Sequence, residues 1–201
     1  MKLFNLKLSV ILLVLIAGFS CKKNESDKYL ETDFYYSKME GSEGFYEKHF
    51  SIRKDKVIVK CNSESESQAL TQQTVFSFAY ETGNWVIGTI DPKNTKLDDL
   101  TNRSDVIDAI YGLEYVDGTL QYLTDQILVK FKDEQKPETV FAAIGLAENV
   151  EAIELFDAYS ETYLITLNVK LNEILHICRS LFKEGLCEFA EPSFFREIVA
   201  D

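Results

Sequence analysis

Histidine and cysteine are the side chains that most often serve as general bases, nucleophiles and metal ligands near neutral pH. This 201-residue chain has two histidines, His49 and His176, and four cysteines, Cys21, Cys61, Cys178 and Cys187. The histidines fall far apart, one ahead of an expected strand and one on an expected helix, so each reads as a surface side chain. His176 and Cys178 are two residues apart, which sends them to different faces of a helix, and Cys187 alone cannot complete a tetrahedral metal set. Asp98, Asp99, Asp105 and Asp108 lack the spacing of a calcium-binding loop, and no glycine-rich phosphate loop occurs. No catalytic residue, metal site or cofactor is therefore expected, and the chain reads as a non-enzyme. With 21 Lys+Arg against 33 Asp+Glu, the net charge is −12, which argues against a nucleic-acid partner. At 46% hydrophobic, with nine glycines and three prolines, the chain can build a core.

Cys21 has chemistry of another kind. Lys2 and Lys7 precede an apolar run over residues 8–19, too short to span a bilayer and suited to the h-region of an export signal. Ser20-Cys21 follows, then polar residues without periodicity. The arrangement resembles a bacterial lipoprotein signal, with Phe19 fitting the looser form of the Bacteroidetes; the other reading is an ordinary signal in which Cys21 is incidental. As a lipoprotein, residues 1–20 are removed, Cys21 carries the acyl chains, and residues 21–32 form a tether. The expected location is the bacterial cell envelope, lipid-anchored at the outer membrane. Loss of Lys2 and Lys7 leaves the exported chain at −14, so an anionic headgroup surface repels it and it stands off on its tether. Cys61, Cys178 and Cys187 are then an odd set that cannot all pair, and Cys178 sits on an apolar helical stripe as a buried free thiol.

A repeat dictates the elements. Asp55-Lys-Val-Ile-Val-Lys-Cys61 returns 70 residues later as Asp125-Gln-Ile-Leu-Val-Lys-Phe131. Each copy leads into a helix-compatible stretch, two strand-like runs, a second helix and a closing strand, entered through Gly112-Leu113 and Gly185-Leu186. This β-α-β-β-α-β order is the split βαβ unit, with both helices on one face of an antiparallel sheet. The fold class expected is α+β, as two tandem ferredoxin-like modules over residues 33–120 and 121–201, and a fragment starting near Leu120 is expected to fold alone.

In the second copy Ile127, Val129 and Phe131 alternate as a half-buried strand should. Pro137 opens a helix, Val140, Phe141 and Ile144 mark its buried side, and Gly145 ends it. Strands follow over 153–159 and 163–169. Leu171, Ile174, Leu175, Cys178, Leu181 and Phe182 then form an amphipathic helix capped by Gly185, and 187–195 closes the unit. In the first copy strands are expected at 75–81 and 84–91 around Thr82-Gly83, with a helix over 97–110. The run 62–68 is left as helix start or loop. Ahead of them, 34–38 and 45–52 read as an additional hairpin.

The segment from Asp125 to Phe195, opening with Ile-Leu-Val-Lys-Phe and closing with Gly-Leu-Cys-Glu-Phe-Ala-Glu-Pro-Ser-Phe, resembles the propeptide domain of subtilisin-like serine proteases and the inhibitors related to it. The first copy, ending in Tyr115-Val116-Asp117-Gly118, resembles a diverged version. The resemblance implies foldase or inhibitor activity: an open sheet face docks on two protease helices and the tail beyond the last strand lies in the substrate cleft. Two acidic positions in the family's closing strand meet the N-termini of those helices. Here Glu191 takes the first; Ser193 takes the second, where the family prefers Asp or Asn, and its hydroxyl can still cap a helix. Arg196, Glu197, Ile198, Val199, Ala200 and Asp201 correspond to the cleft-binding tail. Neither histidine stands in a subtilase catalytic motif, so the implied partner is a separate protease. The competing readings are ordinary surface polarity for Glu191 and Ser193, and a surface or periplasmic binding or adhesion lipoprotein that reuses the fold, a superfold with many unrelated functions.

Overall fold

The computed structural model describes residues 34–38, 45–132 and 135–196. Cys21, the signal and the tether, like tail residues Glu197, Ile198, Val199, Ala200 and Asp201, lie outside the described residues.

Strand β1, Phe34–Lys38, pairs antiparallel with the start of β2, Phe45–Cys61. The additional hairpin is present, but its second arm does not stop at Ile52: it continues as one strand through the repeat motif. The charged stretch at 53–56, which reads as a break, is absorbed as a β-bulge where the register against the neighbouring strand shifts between Arg53 and Val57. There the Arg53 guanidinium bridges Asp55 at 3.0 Å and Glu114 at 2.9 Å.

The polar run after β2 is a helix, α1, Glu64–Thr71, because Ser63 accepts the Glu66 N–H at 3.3 Å as its N-cap and Leu70 supplies a buried anchor. A tight hairpin of β3, Phe76–Thr82, and β4, Trp85–Ile90, follows, then α2, Leu97–Thr101. The helix expected over 97–110 ends at Thr101. Arg103 and Asp105, joined at 2.7 Å, make the turn, and residues from Val106 belong to β5, Val106–Tyr115. The helix reading failed because β5 is buried on both faces: Ala109 packs in one core and Ile110 in the other. A strand buried on both sides loses the alternation that identifies it. Gly112 therefore lies inside the closing strand rather than at its entrance.

The second half follows the expected order closely. It comprises β6, Leu120–Phe131; α3, Pro137–Ala143; β7, Val150–Asp157; β8, Thr162–Leu167; α4, Ile174–Lys183; and β9, Cys187–Arg196. A 3₁₀ turn, Leu171–Glu173, precedes α4, so the amphipathic stripe starts one turn before the α-helix proper. Gly185 adopts φ +68° beyond α4 and returns its N–H to Phe182 at 3.0 Å, a cap that side chains with a Cβ disfavour.

All strand pairs are antiparallel, in the order β3-β4-β2-β5-β6-β8-β7, with β1 added to β2 and β9 to β6. The protein is thus an α+β molecule with an antiparallel sheet and few helices. Each half runs last strand, first, third, second: β5-β2-β4-β3 and β9-β6-β8-β7. The halves join through two residue pairs, Leu113 with Gln121 and Glu114 with Leu120.

The repeat motif explains the cores. Val57, Val59 and Cys61 face α1 and α2 of the first half, in a cluster with Leu70, Leu100 and Val106. Their counterparts Ile127, Val129 and Phe131 meet Val140 and Phe141 of α3 and Leu175, Cys178 and Leu181 of α4. That second cluster also takes in Ile58, Trp85, Ile87 and Ile110, from the side of the first half's sheet away from its own helices. No helix among the described residues is long and apolar enough to cross a membrane.

Candidate docking face

A β-α-β-β-α-β unit places both helices on one side of its sheet, so the other side is free for a partner unless the molecule fills it. The repeat allows the two outer sides to be compared position by position. In the first half, Ile58 stands opposite Ile110 and both are fully buried, at 0% and 2% exposure. In the second half, Leu128 takes the place of Ile58 and stands opposite Glu191, and both are partly exposed.

What fills the first half's outer side is the second half. The Trp85 and Phe195 rings meet edge-on at 6.0 Å. Lys60, over the Trp85 ring at 5.8 Å, reaches the Asp125 carboxylate at 2.5 Å. The Asp108 carboxylate accepts the backbone N–H of Leu171 at 2.8 Å and that of Ala109 at 2.9 Å. These contacts are sheltered, so each hydrogen bond is worth more than on an open surface. The repeat counterpart of Lys60, Lys130, instead pairs with Glu188 at 2.6 Å with about a third of its surface in water.

The second half's outer side is left open. Strand alternation puts Phe189, Glu191 and Ser193 of β9 on it, beside Gln126, Leu128 and Lys130 of β6 and Leu164 and Thr166 of β8. All eight side chains are partly exposed. The result is a shallow surface with an apolar centre, Leu128, Leu164 and Phe189, flanked by the Glu191 carboxylate on β9 and, opposite Leu164, by Glu154 of the outermost strand β7. Ser193 sits opposite a bulge in β6, where the register shifts between Leu123 and Ile127; its carbonyl accepts the Thr124 hydroxyl at 3.0 Å. Glu191 and Ser193 thus share one face, two residues apart, which can present a carboxylate and a hydroxyl side by side.

Arg196 is not part of a free tail. It is the last residue of β9, paired with Gln121, because the β6–β9 ladder continues to the joint between the halves. The apolar centre around Leu128, Leu164 and Phe189 is the part of the face that residue-level reading missed. Its signal was Leu128 itself, an apolar residue at the position of the alternation where a half-solvated strand would carry a polar one.

The remaining candidates do not converge. His49 is exposed on β2, 3.2 Å from Glu47, and His176 is exposed on α4 while Cys178 points into the core. Cys61, Cys178 and Cys187 are buried free thiols. Burial pushes the Cys61 thiol up to about 11 and Cys187 up to about 12, and burial raises Cys178 well above its usual range. Among the described residues, no group of three or more His, Cys, Asp or Glu could hold a metal ion.

Among known families, residues 112–193 fit the model of the fervidolysin N-terminal prodomain, a subtilase propeptide-like domain. The match runs from Gly112 in β5, through the joint, to Ser193 in β9, and so contains the open face. No curated protein and no solved structure matches the chain.

Proposed function

We propose that the protein is a non-enzymatic, propeptide-type partner of a subtilisin-like serine protease, acting as its inhibitor or folding chaperone. The observation that carries this reading is the open outer side of the second half, within the segment similar to a subtilase prodomain, with Glu191 and Ser193 aligned on β9. Both halves are read as ferredoxin-like modules, supported by the shared element order and spatial order of their strands. Only the second has a face to offer, because the first carries Ile110 where the second carries Glu191, and Ile110 is buried by the rest of the chain. One chain therefore binds one protease. Leu128, Leu164 and Phe189 supply the apolar contact, and Glu191 and Ser193 meet the positive N-termini of protease helices. Residues 197–201 take the part of the family's cleft-binding tail, for which main-chain pairing would give affinity and alternate side chains selectivity. Cys21 carries the lipid that holds the complex at the outer membrane.

The test is inhibition, or assisted refolding, of subtilisin-like proteases from the same envelope by the full chain. Glu191→Ala should weaken inhibition roughly ten-fold by removing the helix-end contact, and deletion of residues 197–201 should weaken it further. An intact protein that neither inhibits nor refolds any such protease at micromolar concentration overturns the reading. Anchoring is checked separately: Cys21→Ser should abolish incorporation of labelled fatty acid, and a variant that keeps both its label and its partition into detergent defeats the lipid assignment.

One observation favours a second reading, a binding or adhesion lipoprotein that reuses the fold: Ser193 provides a hydroxyl where the resembled family uses a charge or an amide. Capture from native envelopes of a partner that is no protease, lost with Leu128→Asp, would favour it.

A further inference from the structure

The outermost strand of the second half, β7, pairs with β8 alone among the described residues, and its other edge lies beside a groove. The groove, about 330 Å³, lies between α3 and β7; Phe141 lies at its buried side, with Val150, Ala152 and Ile153 along the strand and Glu138 and Glu151 also lining it. It lies toward the helix layer, away from the Glu191 face, and β6 and β8 separate β7 from β9. A strand at a sheet edge has backbone donors and acceptors without a strand partner, the usual template for adding another chain. Beyond the groove, Leu155 and Phe156 of the same strand are 56% and 64% exposed, which is a large apolar surface for an edge to leave in water.

Bulges and charge limit what can add there. The register with β8 shifts between Val150 and Ala152 and between Leu155 and Asp157, so only the stretch 152–155 is regular. Glu138 and Glu151 line the groove, Glu148 lies in the turn before β7, and Glu154 is on β7. Among the described residues none of the four has a cation within ion-pair distance. Pairing of β7 with β7 of a second copy would set these carboxylates against one another, and like charges across a ladder are destabilising. A segment carrying lysine or arginine between apolar residues would neutralise them and fill the groove.

The geometry points to the outer edge of β7 as a second binding site, for a short extended peptide segment of a partner protein in which basic and apolar residues alternate. Its backbone pairs with 152–155; on the helix side an apolar side chain enters the groove over Phe141, beside Glu138 and Glu151, and on the other side the alternate, basic side chains meet Glu154, which stands opposite Leu164. Pairing fixes the main-chain direction, and the carboxylates select a basic segment over a neutral one.

The experiment uses the full-length protein and a short fluorescein-labelled peptide alternating lysine with isoleucine, read by fluorescence anisotropy. Two controls are the same peptide with glutamate for lysine and the same peptide N-methylated at alternate amides. The lysine peptide should bind and the controls should not, and the double variant Glu151→Lys with Glu154→Lys should weaken binding by at least about ten-fold. Far-UV circular dichroism of that variant, unchanged because both residues are exposed, shows that the fold is intact. Equal binding of the N-methylated peptide, an unchanged affinity in the folded double variant, or no binding of the lysine peptide at millimolar concentration overturns the proposal. Glu154 stands on the outer side in one row with Leu164, Leu128 and Glu191, so the two sites are separated by Glu191→Ala, which should weaken protease inhibition and leave peptide binding unchanged; loss of peptide binding in that variant overturns a separate site.

Discussion

Lys60 and Lys130 occupy the same place in the sequence repeat, yet one is sealed under the second half beside Asp125 and Trp85 and the other is partly in water beside Glu188. Residue identity did not distinguish them; the surroundings did. The thiols are a case where identity and surroundings agree. Cys61, Cys178 and Cys187 are buried and unpaired, and burial favours the neutral thiol. Their folded values lie above the usual thiol value of 9.0, at about 11 for Cys61 and about 12 for Cys187. Above pH 9.0 the unfolded chain therefore loses thiol protons that the folded chain keeps. This contribution is fully present below that pH and is lost as pH climbs toward the folded values. Urea midpoints should accordingly fall on the alkaline side, less steeply in Cys178→Ala relative to its own value at neutral pH. At neutral pH, iodoacetamide should modify the three thiols only after denaturant is added. Equally fast modification without denaturant would show that they are not buried. Asp108 gives a second prediction at this scale: Asp108→Ala leaves the Leu171 N–H without its acceptor and should cost about 1–3 kcal/mol, while Asp108→Asn, keeping an oxygen, should cost less by chemical denaturation.

At the scale of elements, the second half was legible nearly throughout because its pattern is uncomplicated. One side of its sheet faces helices and the other faces solvent, so Ile127, Val129 and Phe131 stand out against their neighbours, and Pro137, Gly145 and Gly185 mark helix ends. The first half was misread at the strands that touch the second half. β5 looked helical because Ala109 and Ile110 are buried on opposite sides, and β2 looked interrupted because its bulge carries four charged residues. The Glu191 and Ser193 alignment followed from spacing on a strand; the closure of the equivalent surface in the first half did not, since it depends on how the halves pack. Gly112 lies at that packed joint. A Cβ there would stand 3.0 Å from the Lys56 Cβ and 3.2 Å from Leu120 Cδ1 and Tyr122 Cε1. Space, rather than a special backbone angle, holds this position to glycine. Gly112→Val should cost about 1–3 kcal/mol by overpacking and Gly112→Ala less, as urea midpoints. A valine variant as stable as the parent would show that β5, β2 and β6 separate at no cost.

At the scale of the whole molecule, the open question is whether two repeats make two independent bodies. The backbone joint is slender, two residue pairs between β5 and β6, yet the apolar joint is extensive: Ile58, Trp85, Ile87 and Ile110 share one cluster with the core of α3, α4, β6 and β8. β1 adds a strap, with the Tyr35 ring 5.9 Å from Phe194 of β9 and its hydroxyl 3.1 Å from that of Tyr115. Burying four such side chains stabilises the joint by roughly 1.5–3 kcal/mol each, comparable to the net stability of a small domain. The halves should therefore unfold together. Trp85, the only tryptophan of the chain, lies at the joint and reports its opening, while far-UV circular dichroism reports the strands and helices of both halves. The two signals should fall at one urea concentration in the full chain. A fragment of residues 120–201 should keep its element order but melt at lower urea and bind a hydrophobic dye through Leu171 and Phe195, which the first half no longer covers. If tryptophan emission instead shifts well before the circular dichroism, or the fragment is as stable as the full chain, the halves are separate bodies. The buried outer side of the first half would then be free to open, and a second docking face with it.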